Sequence, residues 1–198
     1  MSPSSKTVPE VFIVESVDED DEEANRYDGR RLYETLCLHP GRLPRYYYIR
    51  TKQELREMAR LFVQSNYRWL HFSCHGNRRE FGLRLDPLSF PEFARIFDGR
   101  LNDRRLFVSA CKVGVEGLAD AVFTRNPDCY SIVAPSHGPR FTESAVFWTA
   151  FYHLMRKRRR TVMRHEDISE VLDKLAGVFP PRMNYFKFNK KNHALLIA

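Results

Sequence analysis

Apolar residues in this chain gather into two kinds of run that alternate from end to end. Residues 11–15 (Val-Phe-Ile-Val-Glu), 45–49 (Arg-Tyr-Tyr-Tyr-Ile), 70–74 (Leu-His-Phe-Ser-Cys), 106–111 (Leu-Phe-Val-Ser-Ala-Cys) and 131–134 (Ser-Ile-Val-Ala) are short and rich in β-branched or aromatic side chains. They read as strands apolar enough to be covered on both faces, the pattern of a mainly parallel sheet. Between them the apolar period lengthens to that of a helix. Thr51 and Glu54 form a capping box ahead of Leu55, Met58, Leu61 and Phe62, and Ser89 and Glu92 repeat it ahead of Phe93, Ile96 and Phe97. A further helix is predicted over about 30–38, stopping at Pro40 and Gly41. Residues 142–158 are apolar almost all round, which predicts a helix sandwiched in the core. Residues 165–176 place Ile168, Val171, Leu172 and Leu175 on one face and end at Gly177, with Pro180 and Pro181 beyond. Residues 185–188 and 193–197 suggest one or two edge strands.

The alternation predicts an α/β protein of three layers, a mainly parallel six-stranded sheet with helices on both faces. With 198 residues, 15 of them Phe, the chain can bury a core of ordinary size, and no internal repeat or linker divides it. Residues 1–8 are expected to be a disordered tail and residues 9–198 a single domain. The longest mostly apolar stretch, 145–155, falls short of the roughly 18 residues a membrane span needs, and the polar opening at Met1 has no signal-peptide character. A cytoplasmic protein without membrane contact is expected. Four cysteines at irregular spacing suggest reduced thiols.

The formal charge is +7, but it is unevenly distributed: residues 18–23 are wholly acidic and 156–160 wholly basic. The basic run could serve a nucleic acid. It follows a helix, however, where the helix dipole favours positive charge, and no glycine-rich phosphate loop follows any strand, so a nucleic-acid partner is disfavoured.

Two of the strand-like runs end in reactive side chains. Trp69-Leu-His-Phe-Ser-Cys leads into His75 and Gly76, and Leu106-Phe-Val-Ser-Ala leads into Cys111. In one parallel sheet, a histidine and a cysteine would emerge together at the carboxyl edge, where open α/β sheets place their ligands. A strand ending His-x-Ser-Cys-His-Gly, followed by one ending Ser-Ala-Cys, resembles the caspase-like cysteine peptidases, and among them the bacterial CHAT branch. Phe81-Gly-Leu-Arg-Leu85 resembles the small hairpin of that branch, residues 117–123 its helix after the cysteine, and 132–136 with 142–154 its later strand, turn and helix. The resemblance implies a catalytic dyad at His75 and Cys111, and a role in bacterial defence or regulated cell death. It departs at His137, where the branch often has an aromatic residue, and at residues 156–160. Sensor domains often fused to such proteins are not seen, so an activator or sensor would be a separate molecule.

Peptide hydrolysis needs a nucleophile, a proton donor for the leaving amine and donors for the oxyanion. Cys111 would supply the first, its thiolate favoured by Lys112 and by a helix beginning near Glu116. His75 would supply the second. The backbone N–H groups of Gly76 and Cys111 are the natural oxyanion hole, and glycine at 76 suits a sharp turn beside the scissile carbonyl. A lone strand-end cysteine is more often core packing than a nucleophile, but the pairing with His75 and the small-residue contexts favour catalysis. Cys74 alternates to the face opposite His75 and is expected in the core, and Cys37 and Cys129 read as structural. The same alternation argues against a zinc set of Cys74, His75, Cys111 and His137.

His137 also reaches the carboxyl edge and is a candidate substrate contact, with an ordinary loop histidine as the plainer reading. The acidic run follows the first strand at that edge. Asp18, Asp20 and Asp21 could draw in a basic substrate side chain or bind calcium, and a solvated loop is the plain alternative. Arg78 would favour an acidic substrate instead. No cofactor is required by this chemistry. The expected function is a cysteine endopeptidase acting on a protein substrate, with a catalytically silent interaction module as the alternative.

Overall fold

A computed structural model of the chain describes residues 7–158, 163–179, 182–188 and, for the backbone, 195–197. Its sheet carries five parallel strands: β1 (Val8–Ser16), β2 (Arg45–Tyr48), β3 (Tyr67–Gly76), β6 (Arg105–Ser109) and β7 (Ser131–Pro135). Two antiparallel strands, β8 (Met183–Lys187) and β9 (Leu195–Ile197), continue it in the order β2-β1-β3-β6-β7-β8-β9. The path thus holds seven strands among the described residues, one more than expected, because the C-terminal segment supplies two. A hairpin of β4 (Glu80–Gly82) and β5 (Pro87–Ser89) hangs from the end of β3, with His75 opposite Gly82 and Gly76 opposite Phe81.

Helices cover both faces because the parallel strands alternate apolar residues to either side. Phe12, Val14, Leu70, Phe72, Leu106 and Val108 pack with α3 (Lys52–Ser65), α4 (Phe90–Ile96) and α5 (Glu116–Arg125). Val11, Ile13, Trp69 and Phe107 pack on the other side with α2 (Asp28–Cys37), α6 (Phe141–Lys157) and α7 (His165–Ala176). Both capping boxes form as their residues predict, at Thr51 with Glu54 and at Ser89 with Glu92. α3 stops at Asn66, whose left-handed φ of 56° ends the helix in the manner glycine often does.

Several expectations need correction. The acidic run is no loop: Asp18 accepts the N–H of Asp21 and caps a short helix, α1 (Glu19–Glu23). β6 ends at Ser109, so Ala110 and Cys111 lie beyond the strand, and Lys112 turns the chain with φ 61°. α6 is not sandwiched, since Val146 is 52% exposed on its outer face. β1 begins at Val8, whose N–H bonds the Asn66 carbonyl, so the predicted tail is too long there, while residues 1–6 lie outside the described residues. Arg156 and Arg158 are tied down, to the Leu36 carbonyl and to Asp167 and Glu170 respectively. Residues 159–160 of the basic run, Pro180, Pro181 and residues 193–194 lie outside the described residues. No described helix is long and apolar enough to cross a membrane.

Candidate active site

β3 and β6 are adjacent and parallel, with Ser73 opposite Ser109, so the next positions on the same face of each chain are His75 and Cys111. Both line one crevice at the carboxyl edge, with Pro139, Phe141 and Ser144 forming much of the opposite wall. Its free volume is about 30 Å³, small beside the several hundred Å³ typical of a ligand pocket. Cys74, also at its margin, is buried with the core on the other face, as alternation predicts.

Cys111 rests as a thiol. Burial pushes its pKa up, Lys112 opposes that, and the Asp28 carboxylate adds to it, so the net direction is upward. The expected depression by Lys112 is outweighed by burial. The Sγ atom donates to the Pro139 carbonyl at 3.7 Å.

His75 faces α1. Its Nε2 lies 2.8 Å from Asp21 Oδ2 and 3.3 Å from Asp18 Oδ2, close enough for ion pairing, although neither contact has the alignment of a full hydrogen bond. A small rotation of the ring aligns the N–H with either carboxylate. With Nε2 turned to the carboxylates, Nδ1 is the nitrogen left for proton exchange with a substrate, a tautomer assigned from the contacts. The Phe141 ring packs edge-on against the imidazole, 5.9 Å between centroids.

Gly76 is small for a reason other than a turn. It is still strand, and a Cβ there would meet Val113 Cγ1 at 2.6 Å and Ala110 Cβ at 3.2 Å. The loop after β6 crosses that close, which places the Gly76 backbone beside the residues flanking Cys111 and keeps it an oxyanion candidate.

The remaining candidates scatter. Asp20 and Arg78 are exposed and line no part of the crevice, Arg78 sitting in the turn that Asn77 closes. His137 faces a separate cavity with Phe147 and Arg182, its Nδ1 2.9 Å from Ser136 Oγ, while its carbonyl accepts the Lys112 N–H. Asp18 and Asp21 are present, but α1 is largely neutralised: Arg84 meets Glu19 and Glu22, Arg50 meets Glu22, and Arg26 meets Asp21. Asp18, Asp21 and His75 could converge on a metal, their ligand atoms lying within 4.8 Å of one another. Calcium takes six to eight oxygens, of which these two carboxylates would supply a part.

The structure adds what the sequence reading missed, a row of buried polar residues beneath the dyad. Glu15, Ser73 and Ser109 face one another across β1, β3 and β6. Asp28, from the first turn of α2, accepts from the Ser73, Ser109 and Ser144 hydroxyls and lines the crevice floor. Glu15 caps α2 from the sheet, accepting the Gly29 and Arg30 N–H groups at 2.7 and 3.0 Å and the Tyr46 hydroxyl at 2.8 Å. Burial, then the neighbouring Asp28 charge, pushes the Glu15 pKa up to about 8. No cation lies within ion-pair distance of Asp28 among the described residues. Period two was the available signal: Ser73 and Ser109 each precede a dyad residue by two, and Glu15 ends the same face of β1.

No protein-family model matches the sequence. No curated protein matches it. Solved structures do match in fold. An inactive zymogen C11 protease from Parabacteroides distasonis superposes with a TM-score of 0.62 at 12% identity, covering 94% of this chain and 63% of that one. A secreted C11 cysteine protease from Bacteroides thetaiotaomicron gives 0.60 at 8% identity, covering 91% and 66%. This chain therefore spans less than two thirds of the length of each. The fold is caspase-like, as the resemblance implied, and these two neighbours are C11 proteases rather than members of the CHAT branch.

Proposed function

We propose that the protein is a cysteine endopeptidase that cuts after a basic residue, with Cys111 as nucleophile and His75 as proton carrier. The observation that carries this is the crevice itself: the two reactive side chains share it with a buried carboxylate, Asp28, that is hydrogen-bonded by serines and has no cationic partner among the described residues. A buried charge calls for a partner, and a lysine or arginine side chain of the substrate would supply one. Burial is the main cause of the raised Cys111 pKa, and that cation would offset the smaller Asp28 contribution to it, a change in the direction of the thiolate. The thiolate attacks the scissile carbonyl, the Gly76 and Cys111 N–H groups receive the oxyanion, and His75 protonates the leaving amine before activating water.

At about 30 Å³ the crevice is far below the size of a ligand pocket, so Pro139 and Phe141 in its wall must move before a long side chain enters. Such a closed resting state fits a separate activator. It is also the observation that favours the second reading, a catalytically silent module. Fluorogenic peptides with Arg, Lys, Asp or Leu before the cleaved bond, offered to wild type and to C111A, decide between them. Hydrolysis of the Arg and Lys peptides by wild type alone is expected. Cleavage confined to the Asp peptide would overturn the basic preference, and a silent wild type, with and without calcium or native-cell extract, would favour the module. Under the peptidase reading the substrate is a protein, and a place in bacterial defence or cell death belongs to this proposal.

A further inference from the structure

At the opposite, amino edge of the sheet lies a pocket of about 440 Å³, within the range of small-ligand sites. Arg68 and Arg105, at the starts of β3 and β6, reach it, as do Arg164 ahead of α7 and Lys187 at the end of β8. Glu166 is the one carboxylate among its lining residues.

Arg105 is the informative member. It is only 8% exposed, yet its guanidinium has no carboxylate within ion-pair distance among the described residues. Its recorded hydrogen bonds go to the neutral Ser131 Oγ and Met163 carbonyl, both at 2.6 Å, with the Tyr130 ring 5.4 Å away. Buried guanidinium groups are ordinarily paired. Beside it, the Tyr185 hydroxyl is buried and makes no aligned hydrogen bond, although it lies near enough to Arg105 and Ser131 to feel both. His165, whose ring stacks on Tyr185 at 5.2 Å, has a buried Nδ1 that is likewise unpartnered. The pocket therefore holds an excess of positive charge and buried polar atoms, with Glu166 as its one carboxylate and none paired to Arg105 among the described residues.

We propose that this pocket binds a small polyphosphate compound, its phosphate oxygens meeting Arg105, Arg164 and Lys187 and accepting from the Tyr185 hydroxyl. Guanidinium groups converging in a concave site suit phosphate. A single pocket of this size suits a small molecule better than a single-stranded nucleic acid, which needs a long groove with successive stacking rings. β6 carries Arg105 at one end and leads to Cys111 at the other, roughly 20 Å away at about 3.3 Å per residue, so this site is separate from the crevice.

Isothermal titration of the full chain with inorganic pyrophosphate, and separately with ATP, tests this without reference to peptidase activity. Saturable one-site binding is expected. The double variant R164A/K187A should weaken it by about tenfold or more, and E166Q should tighten it. R56A/R95A, which removes two cations from a different surface, should leave it unchanged, and circular dichroism checks that each variant is folded. No saturable binding to wild type, or an equal loss in R56A/R95A, would overturn the proposal. So would a short single-stranded oligonucleotide that binds more tightly than either probe and needs the same residues, which would make the site one for nucleic acid.

Discussion

At the scale of single residues, what matters about Cys111, His75 and Asp28 is their shared crevice more than their individual chemistry. C111A should reduce cleavage of the preferred peptide to background, and H75A should cost roughly 10²–10⁴ in kcat, both measured by peptide hydrolysis. D28N removes the charge and keeps one acceptor oxygen, so the serine hydroxyls on the other side of the group must turn to accept from its NH2. It should abolish the preference for basic over neutral peptides, while thermal stability changes little. Glu15 makes a prediction for stability rather than activity. Its pKa is raised, to about 8, so the native state holds a proton that the unfolded chain releases above its ordinary value of 4.5. That contribution is complete below the ordinary value and is lost as pH rises through about 8. His71 works in the opposite direction: buried against Trp148 and Tyr152, its pKa falls to about 4, and its contribution is lost as pH drops below 6.5. Between pH 6.5 and 8.5 the Glu15 effect stands clear of His71. Wild-type Tm should fall across that window, and E15Q should flatten the slope. An identical slope in E15Q would assign it to other groups.

At the scale of elements, α1 is the piece whose composition misled. Read as a run, residues 18–23 are a solvated acidic loop. Folded, Asp18 caps a helix and turns Asp21, only 6% exposed, towards His75. Under the proposed peptidase reading its task is to hold the imidazole, which would make it a positioning element. D21N should lower kcat by up to about 100-fold with KM little changed, because a displaced imidazole spoils proton transfer without touching substrate binding. D18N, at the longer contact, should have the smaller effect. A drop in affinity with kcat intact would instead make α1 part of the substrate pocket. The capping boxes of α3 and α4, by contrast, were legible outright, since a box needs only two residues three apart.

At the scale of the molecule, two apolar layers clamp one sheet, and the site sits where both meet its carboxyl edge. The layer built on Trp148, Phe151 and Tyr152 lies directly behind Trp69, His71 and Phe107. Trp148, 1% exposed, should cost about 3–5 kcal/mol when replaced by alanine, measured by urea unfolding. Because α6 also carries Phe141 and Ser144 into the crevice, W148A should reduce activity as well as stability. A variant that loses stability yet keeps full kcat would uncouple the layer from the site.

The sequence alone determined the layered α/β plan, the five parallel strands, most helix positions and the meeting of His75 with Cys111. These follow from local periodicity and from the rule that parallel strands present their ends together. Tertiary structure decided the rest. Asp28 opens a helix that no cap signals, and it becomes part of the site only because α2 lies across β3 and β6. His137 is at the right edge of the sheet yet faces another cavity, since side-chain direction in a loop has no period to read. Gly76 looked like a turn and is a strand residue pressed against Val113. Periodicity carries information about neighbours along a chain, whereas burial, charge compensation and pKa depend on what other segments bring into contact.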